Sequence, residues 1–388
     1  MTHPPQANNK APILCVVGAR PNFMKIAPIM AALRADANPL PALLVHTGQH
    51  YDEAMNQQFF DDLGIPRPEV NLEVGSASHA VQTAEVMRRF EPVVDETQPA
   101  AVLVVGDVNS SIACALVAAK KGVPVVHVEA GLRSYDRAMP EEINRVLTDQ
   151  ISDFLFTTER SAHANLLREG IAEKRIYFVG NVMIDTLRRN LEQAVAVSHT
   201  LQEAGVNGNL CAPGGYAVLT LHRPSNVDDV TTLRLLLQTV VDISRELPVL
   251  FPPHPRTRAR IEQHGLAHLL KQDGLITLPP LGYLNMLGLM RDAKLVLTDS
   301  GGIQEETTAL GVPCLTLRNN TERPITVAEG TNTIVGQNPE KIRAAFAEIM
   351  QSGGKAGRVP ELWDGQASIR IVSILRDWLA NGRQQHVP

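Results

Sequence analysis

The sequence predicts an α/β protein built as two Rossmann-like, doubly wound domains facing across a cleft. Three observations carry that expectation. Short apolar runs that read as buried strands alternate with helical stretches along the whole chain. The loops after those strands are polar and charged, as in open parallel sheets that bind ligands at their carboxyl edge. A composition that is 44% hydrophobic but only 4% aromatic, rich in Ala, Val and Leu, suits strands covered by helices on both faces. At 388 residues the chain is long for one core. The expected division is an N-terminal domain over 1–182, a C-terminal domain over 183–366, and a closing segment over 367–388.

Composition also excludes. A net charge of -5 offers no basic surplus for nucleic acid. Cys15, Cys114, Cys211 and Cys314 are far apart, and three of them sit in apolar runs, so they read as core residues and not as ligands or disulfides. The start of the chain lacks a signal-like apolar region, and no run approaches the roughly 18 apolar residues of a membrane helix, so a cytoplasmic protein is expected. The sequence contains no GxGxxG, GxxxxGK[ST], HExxH or CxxC. No metal and no cofactor are therefore expected.

Taken in order, Ile13 to Val17 reads as a strand, then Gly18-Ala19-Arg20-Pro21-Asn22 leads into a helix with apolar residues at helical spacing. Arg20 and Lys25 place two cations at the carboxyl end of that strand, one able to fork onto phosphate and one a point charge. A strand from Leu43 to His46 runs into Thr47-Gly48-Gln49-His50-Tyr51-Asp52, with Asp52 expected to cap a helix to Leu63. Gln49 and His50 are candidate ligand contacts. Strands from Val102 to Val105 and Val125 to Val128 each end in an acid, Asp107 and Glu129, with a crossover helix over Ile112 to Lys121 between them. Pro140 opens a helix on which Glu141 and Arg145, four apart, share a face. Asp107, Glu129 and Glu141 thus gather near Arg20 and Lys25, a setting for a general acid or base. Strands Phe154 to Thr157 and Ile176 to Val179 finish the first sheet, and a helix from Asp185 to Ala196 leads to the second domain.

There the pattern restarts. Strand Ala217 to Thr220 is followed by His222 and Arg223, and Val249 to Phe251 by His254-Pro255-Arg256; Ile276 to Leu278 is followed by Leu281-Gly282-Tyr283, apolar groups able to wall a base or simply to pack. The apolar run from Leu295 turns through Asp299-Ser300-Gly301-Gly302 straight into a helix carrying Glu305 and Glu306. The two glycines let backbone approach a ligand, and the first helical N–H groups have no partners of their own. A diphosphate suits that end, and Glu306, about a turn inside, suits paired sugar hydroxyls. The plainer alternative is a tight turn whose acids complement the helix dipole. Strand Cys314 to Leu317 leads into a loop containing Arg323, and the last helix, from Ala367, has no strand to follow and is expected to fold back on the first domain.

GARPNFMK (18–25), HTGQHYD (46–52), GDVNSS (106–111), HVEAGLRS (127–134), PEEINR (140–145), LHRPSN (221–226), TDSGGIQEE (298–306) and TERP (321–324) together resemble the non-hydrolysing UDP-N-acetylglucosamine 2-epimerases over nearly the whole chain. The resemblance implies the glycosyltransferase B type fold, a UDP-sugar substrate, a homodimer, and a role in supplying cell-surface polysaccharide. It implies that Arg20, His222, Ser300, Gly301 and Gly302 hold the diphosphate, that Glu306 binds the ribose, and that Arg323 is an active-site arginine. Lys25, Asp107, Glu129, Glu141 and Arg145 match the groups around the sugar. The implied reaction removes the C2 proton with loss of UDP, giving 2-acetamidoglucal, and re-adds UDP with protonation on the other face. Asp107 and Glu129 are favoured for proton traffic, with Glu141 a third candidate that could instead orient Arg145 or the sugar. Two departures matter. His222-Arg223-Pro224-Ser225-Asn226 stands where the family commonly has HRREN, which leaves open the allosteric site to which Gln49 and His50 would belong. GARPNF, LRS and HPRTR are also similar to epimerases of UDP-2,3-diacetamido-2,3-dideoxyglucuronic acid, while Glu305-Glu306 and Glu322-Arg323-Pro324 favour N-acetylglucosamine. Hydrolysing epimerases, a glycosyltransferase on the same fold and a UDP-sugar sensor remain the rival readings.

Overall fold

The computed structural model describes residues 11–35, 39–48, 63–208 and 211–381, with Arg20 described in its backbone alone. Uniformly apolar runs make the sheet centres. β1 (Ile13–Val17) and β4 (Ala101–Val105) are buried at every position, which strands covered on both faces require. With β2 (Ala42–His46), β3 (Val70–Asn71), β5 (Val125–Ala130), β6 (Phe154–Thr157) and β7 (Ile176–Phe178) they form a parallel sheet of order β3-β2-β1-β4-β5-β6-β7. The second sheet, also parallel, has the order β10-β9-β8-β11-β12-β13, from β8 (Ala217–Thr220), β9 (Val249–Phe251), β10 (Leu275–Thr277), β11 (Leu295–Thr298), β12 (Cys314–Thr316) and β13 (Asn332–Ile334). Strand order reverses between β1 and β4 in one sheet and between β8 and β11 in the other. Those reversals part the loops at the carboxyl ends and leave a crevice for ligand.

Described residues up to Thr186, with those from Asp364 on, make one compact unit, and Leu187–Trp363 makes the other. The first carries α1 (Arg20–Arg34), α2 (His79–Thr97), α3 (Asn109–Lys120), α4 (Pro140–Ile151) and α5 (Arg160–Arg168), while α6 (Val182–Asn190) spans the boundary. In the second, α7 (Val230–Ser244) and α8 (Pro339–Ser352) lay Leu233, Leu236, Leu237, Val240, Ile342 and Phe346 into a core with β8, β9 and β11. α9 (Ala367–Ala380) closes the chain and packs on α1 of the first unit, with Trp378 against Phe154 at 4.9 Å between ring centroids. Asp185 caps it, accepting hydrogen bonds from Ala367 N at 3.1 Å, Ser368 N at 2.7 Å and Ser368 Oγ at 2.6 Å.

The differences from the sequence expectation have local causes. The crossover helix starts at Asn109, not Ile112, because Asn109 and Ser111 spend their side chains on tertiary partners, Gln82 and the Val105 carbonyl, and so do not break the first turn. The connecting helix is α6, which begins at Val182 and ends at Asn190, earlier at both ends than the expected Asp185 to Ala196. Helix α2, beyond the elements expected above, has a clear local basis: Ser78 caps it, and Gln82, Val86, Phe90 and Val94 recur every four residues on its buried face. Most of the helix expected after Asp52 lies outside the described residues. No helix among the described residues is long and apolar enough to cross a membrane.

Candidate active site

The first unit builds its constellation where β1 meets β4. Asn22 pins the loop after β1: its Oδ1 accepts from Gly18 N at 3.1 Å and Ala19 N at 3.0 Å, while its Nδ2 donates to Val105 O at 2.9 Å. This holds α1 against the end of β4, and one turn into α1 Lys25 reaches Glu129 Oε2 at 2.6 Å, with both side chains buried. Gly106, just past β4, has φ 65°, and a Cβ there would lie 2.7 Å from Lys25 Nζ. The positive φ favours glycine here, and any side chain would also push the ammonium from its place. Glu129 itself is unusual. Pairing between β5 and β6 shifts register between Val128 and Ala130, and Glu129 in that bulge takes φ 72°. A non-glycine residue so placed stores about 1–3 kcal/mol of strain, and bulges of this kind re-aim side chains beside functional sites.

Asp107, the next residue after Gly106, is bridged to Arg145, which also grips Glu142 on its own helix. Glu141, on the face it shares with Arg145, is half-buried in the first turn of α4, and Glu142 beside it is buried. Glu142 in turn accepts from Ser134 N, Ser134 Oγ and Tyr135 N, each at 2.9 Å. Burial raises its pKa, but the Ser134 N–H and the Arg145 guanidinium outweigh that and hold it below the ordinary carboxylate value. Lys25, Glu129, Asp107 and Arg145 are therefore brought together at one sheet edge. Arg20's side chain, Gln49 and His50 lie outside the described residues.

The second unit builds a different constellation where β8 meets β11. Asp299 is its anchor, a residue within the motif that was not singled out. Fully buried, it accepts from the backbone of His222 at 3.0 Å and of Arg223 at 3.0 Å, from Asn226 Nδ2 at 3.1 Å, and pairs with His222 Nδ1 at 2.8 Å. Burial raises its pKa, yet the hydrogen bond to His222 and the two backbone donors leave it lowered. With Nδ1 committed to Asp299, the other nitrogen of His222 is left for a ligand. Pro224 and Ser225 are the departures in this segment, whereas Asn226, which the motif keeps, also donates to Leu317 O at 2.9 Å and locks the loop.

Ser300 precedes α10 (Gly301–Leu310), whose first N–H groups have no helical acceptor. A Cβ on Gly301 would lie 2.6 Å from Glu322 Oε1, so any larger residue here would push the Glu322 carboxylate aside. Gly302 follows it in the same first turn. Glu306 is buried and accepts from Tyr283 Oη at 3.1 Å; burial lifts its pKa to about 7, against the Tyr283 hydrogen bond and with help from Glu305. Arg323 reaches Glu305 with Nε at 2.8 Å, and Glu322 is held by Arg318 at 2.7 Å and by Arg223 at 3.5 Å. Burial would raise Glu322, but Arg323 and Arg318 keep it far below the ordinary range. So Ser300, Gly301, Gly302, Glu306, Arg323 and His222 gather at one edge of the second sheet.

Comparison with known proteins fits this geometry. The family model for UDP-N-acetylglucosamine 2-epimerase matches residues 32–376. The chain belongs to the UDP-N-acetylglucosamine 2-epimerase family. Among members of this family, the UDP-N-acetylglucosamine 2-epimerase of Methanocaldococcus jannaschii is 43% identical over 93% of this chain and 97% of its own. The crystal structure of that organism's enzyme in complex with UDP-GlcNAc and UDP superposes with a TM-score of 0.85 at 40% identity, covering 94% of this chain and 99% of that one. The UDP-2,3-diacetamido-2,3-dideoxy-D-glucuronate 2-epimerase of Pseudomonas aeruginosa is 39% identical over 94% of this chain and 99% of its own.

Proposed function

We propose that this protein is a UDP-N-acetylglucosamine 2-epimerase, an isomerase that reversibly inverts C2 to give UDP-N-acetylmannosamine by elimination of UDP to 2-acetamidoglucal and re-addition. The observation that carries the chemistry is the pairing of two acids with two cations at one sheet edge, Glu129 with Lys25 and Asp107 with Arg145. The C2 proton is weakly acidic, so the route needs a positioned carboxylate base, a donor on the opposite face and a stabilised leaving diphosphate. In this reading Asp107 and Glu129 carry the proton traffic, Lys25 and Arg145 orient them, and Glu141 contacts the sugar. His222, Arg20 and the start of α10 receive the diphosphate, Glu306 the ribose hydroxyls, and Arg323 the phosphate charge. The same reading makes the protein a homodimer, with Ile143 and Leu147 as an exposed apolar pair on α4. It also makes it cytoplasmic, where its four free, buried thiols stay reduced.

The test is incubation with UDP-N-acetylglucosamine in heavy water followed by proton NMR. UDP-N-acetylmannosamine carrying deuterium at C2 is expected. Free N-acetylmannosamine would point to hydrolysis, and an inert substrate to the reaction of the Pseudomonas relative, to be tried next with its own nucleotide sugar.

A further inference from the structure

Behind the first unit's acids lies a fully buried group that the reaction does not touch. His127, on β5, directs Nδ1 at Asp149 Oδ1, 2.7 Å away, and Nε2 at the Gly106 carbonyl, 3.0 Å away. Neither ring nor carboxylate has any exposure. A carbonyl oxygen only accepts, so Nε2 must carry a proton. The other oxygen of Asp149 accepts from Gly131 N at 3.1 Å and Arg133 Nη2 at 2.7 Å, two donors that hold it as a carboxylate. With Asp149 ionised, its Oδ1 is an acceptor too, and the 2.7 Å contact then places a second ring proton on Nδ1. Charge balance is consistent with this: Arg133 is shared between Asp149 and the partly exposed Glu169 at 2.5 Å, so a cationic His127 gives the buried Asp149 a cation of its own and completes a set of two positive and two negative groups.

We propose that His127 is an imidazolium that acts as a positioning residue for both proton-transfer acids. Through Nε2 it grips the peptide of Gly106, which has φ 65° and immediately precedes Asp107. Through Asp149 it grips the Gly131 N–H, two residues beyond the strained Glu129. One ion pair thus fastens both loops whose acids must stay in register with C2. The kinetic part of this inference rests on the epimerase reading; the protonation part does not.

The experiment is a nitrogen-15 NMR spectrum of the histidine rings in the full-length protein at neutral pH, alongside kinetics of H127Q, H127A and D149N. Both ring nitrogens of His127 are expected at imidazolium positions, the signals vanishing in H127Q and moving in D149N. Should no variant fold, slow exchange of the ring protons identifies this buried histidine in the wild-type spectrum. The H127A kcat is expected to fall by about 100-fold with KM little changed, as for a displacement of about 1 Å at the reacting groups. H127Q, whose amide can still donate to the Gly106 carbonyl, should recover part of that loss. A ring with one protonated nitrogen overturns the proposal, as does an H127A enzyme with wild-type kcat. Absence of turnover in the wild type with an imidazolium signal would sink the epimerase reading alone.

Discussion

At the scale of single residues, two buried carboxylates behave oppositely because their partners differ. Among the described residues Glu306 has a tyrosine hydroxyl alone to offset its burial, which lifts it from an ordinary 4.5 to about 7. Its folded-state pKa exceeds the unfolded one, so the cost of ionising it inside the fold is absent at low pH and grows as pH rises from about 4.5 to about 7. Across that window the wild type should lose stability relative to E306Q by on the order of 3 kcal/mol, read from urea midpoints at each pH. Glu129 has a full cation. Removing Lys25 as K25M strands a buried negative charge and should cost about 3–5 kcal/mol, and adding E129Q to K25M should restore most of it. As an acid or base for C2, Glu129 should be worth about 10²–10⁴ in kcat, so E129Q should exchange deuterium into substrate that much more slowly while UDP affinity is kept.

At the scale of elements, the turns after strands decide geometry. Gly106 leaves β4 with φ 65° and faces Lys25 Nζ, so G106A meets both backbone strain and a collision. A loss of at least about 1 kcal/mol in thermal or urea unfolding is expected, with a larger fall in kcat than stability alone would produce. The spacing of charged residues placed these turns correctly at strand ends, since alternating apolar runs and polar loops leave little choice of topology. Within α4, spacing puts Glu141 and Arg145 on one face, and the tertiary structure adds a second acid: Ser134 and Tyr135 donate to Glu142, which is a buried partner of Arg145. A helix repeat cannot report a loop that folds back over its first turn.

At the scale of the whole molecule, the second unit is a continuous stretch, Leu187–Trp363, with its own apolar core, whereas the first needs the chain's last helix as well. Residues 187–363 expressed alone should therefore fold cooperatively and bind UDP by calorimetry without epimerising; failure to fold would show that the second core depends on the first unit.

The sequence by itself determined the class of fold, the order of strand, loop and helix, and which polar residues stand at strand ends, because burial on both faces demands apolar strands and leaves chemistry to the loops. It also held the family in its motifs. Only the tertiary structure decided which charges meet. Asp299 beneath His222, Tyr283 on Glu306 and His127 between Asp149 and Gly106 are contacts across elements, whose partners are from 21 to 77 residues apart. The bulge at Glu129 likewise arises from pairing with β6, which no local pattern in VVHVEA encodes. Local propensity sets where a strand runs, while hydrogen-bond satisfaction in a packed interior sets where its side chains finally point.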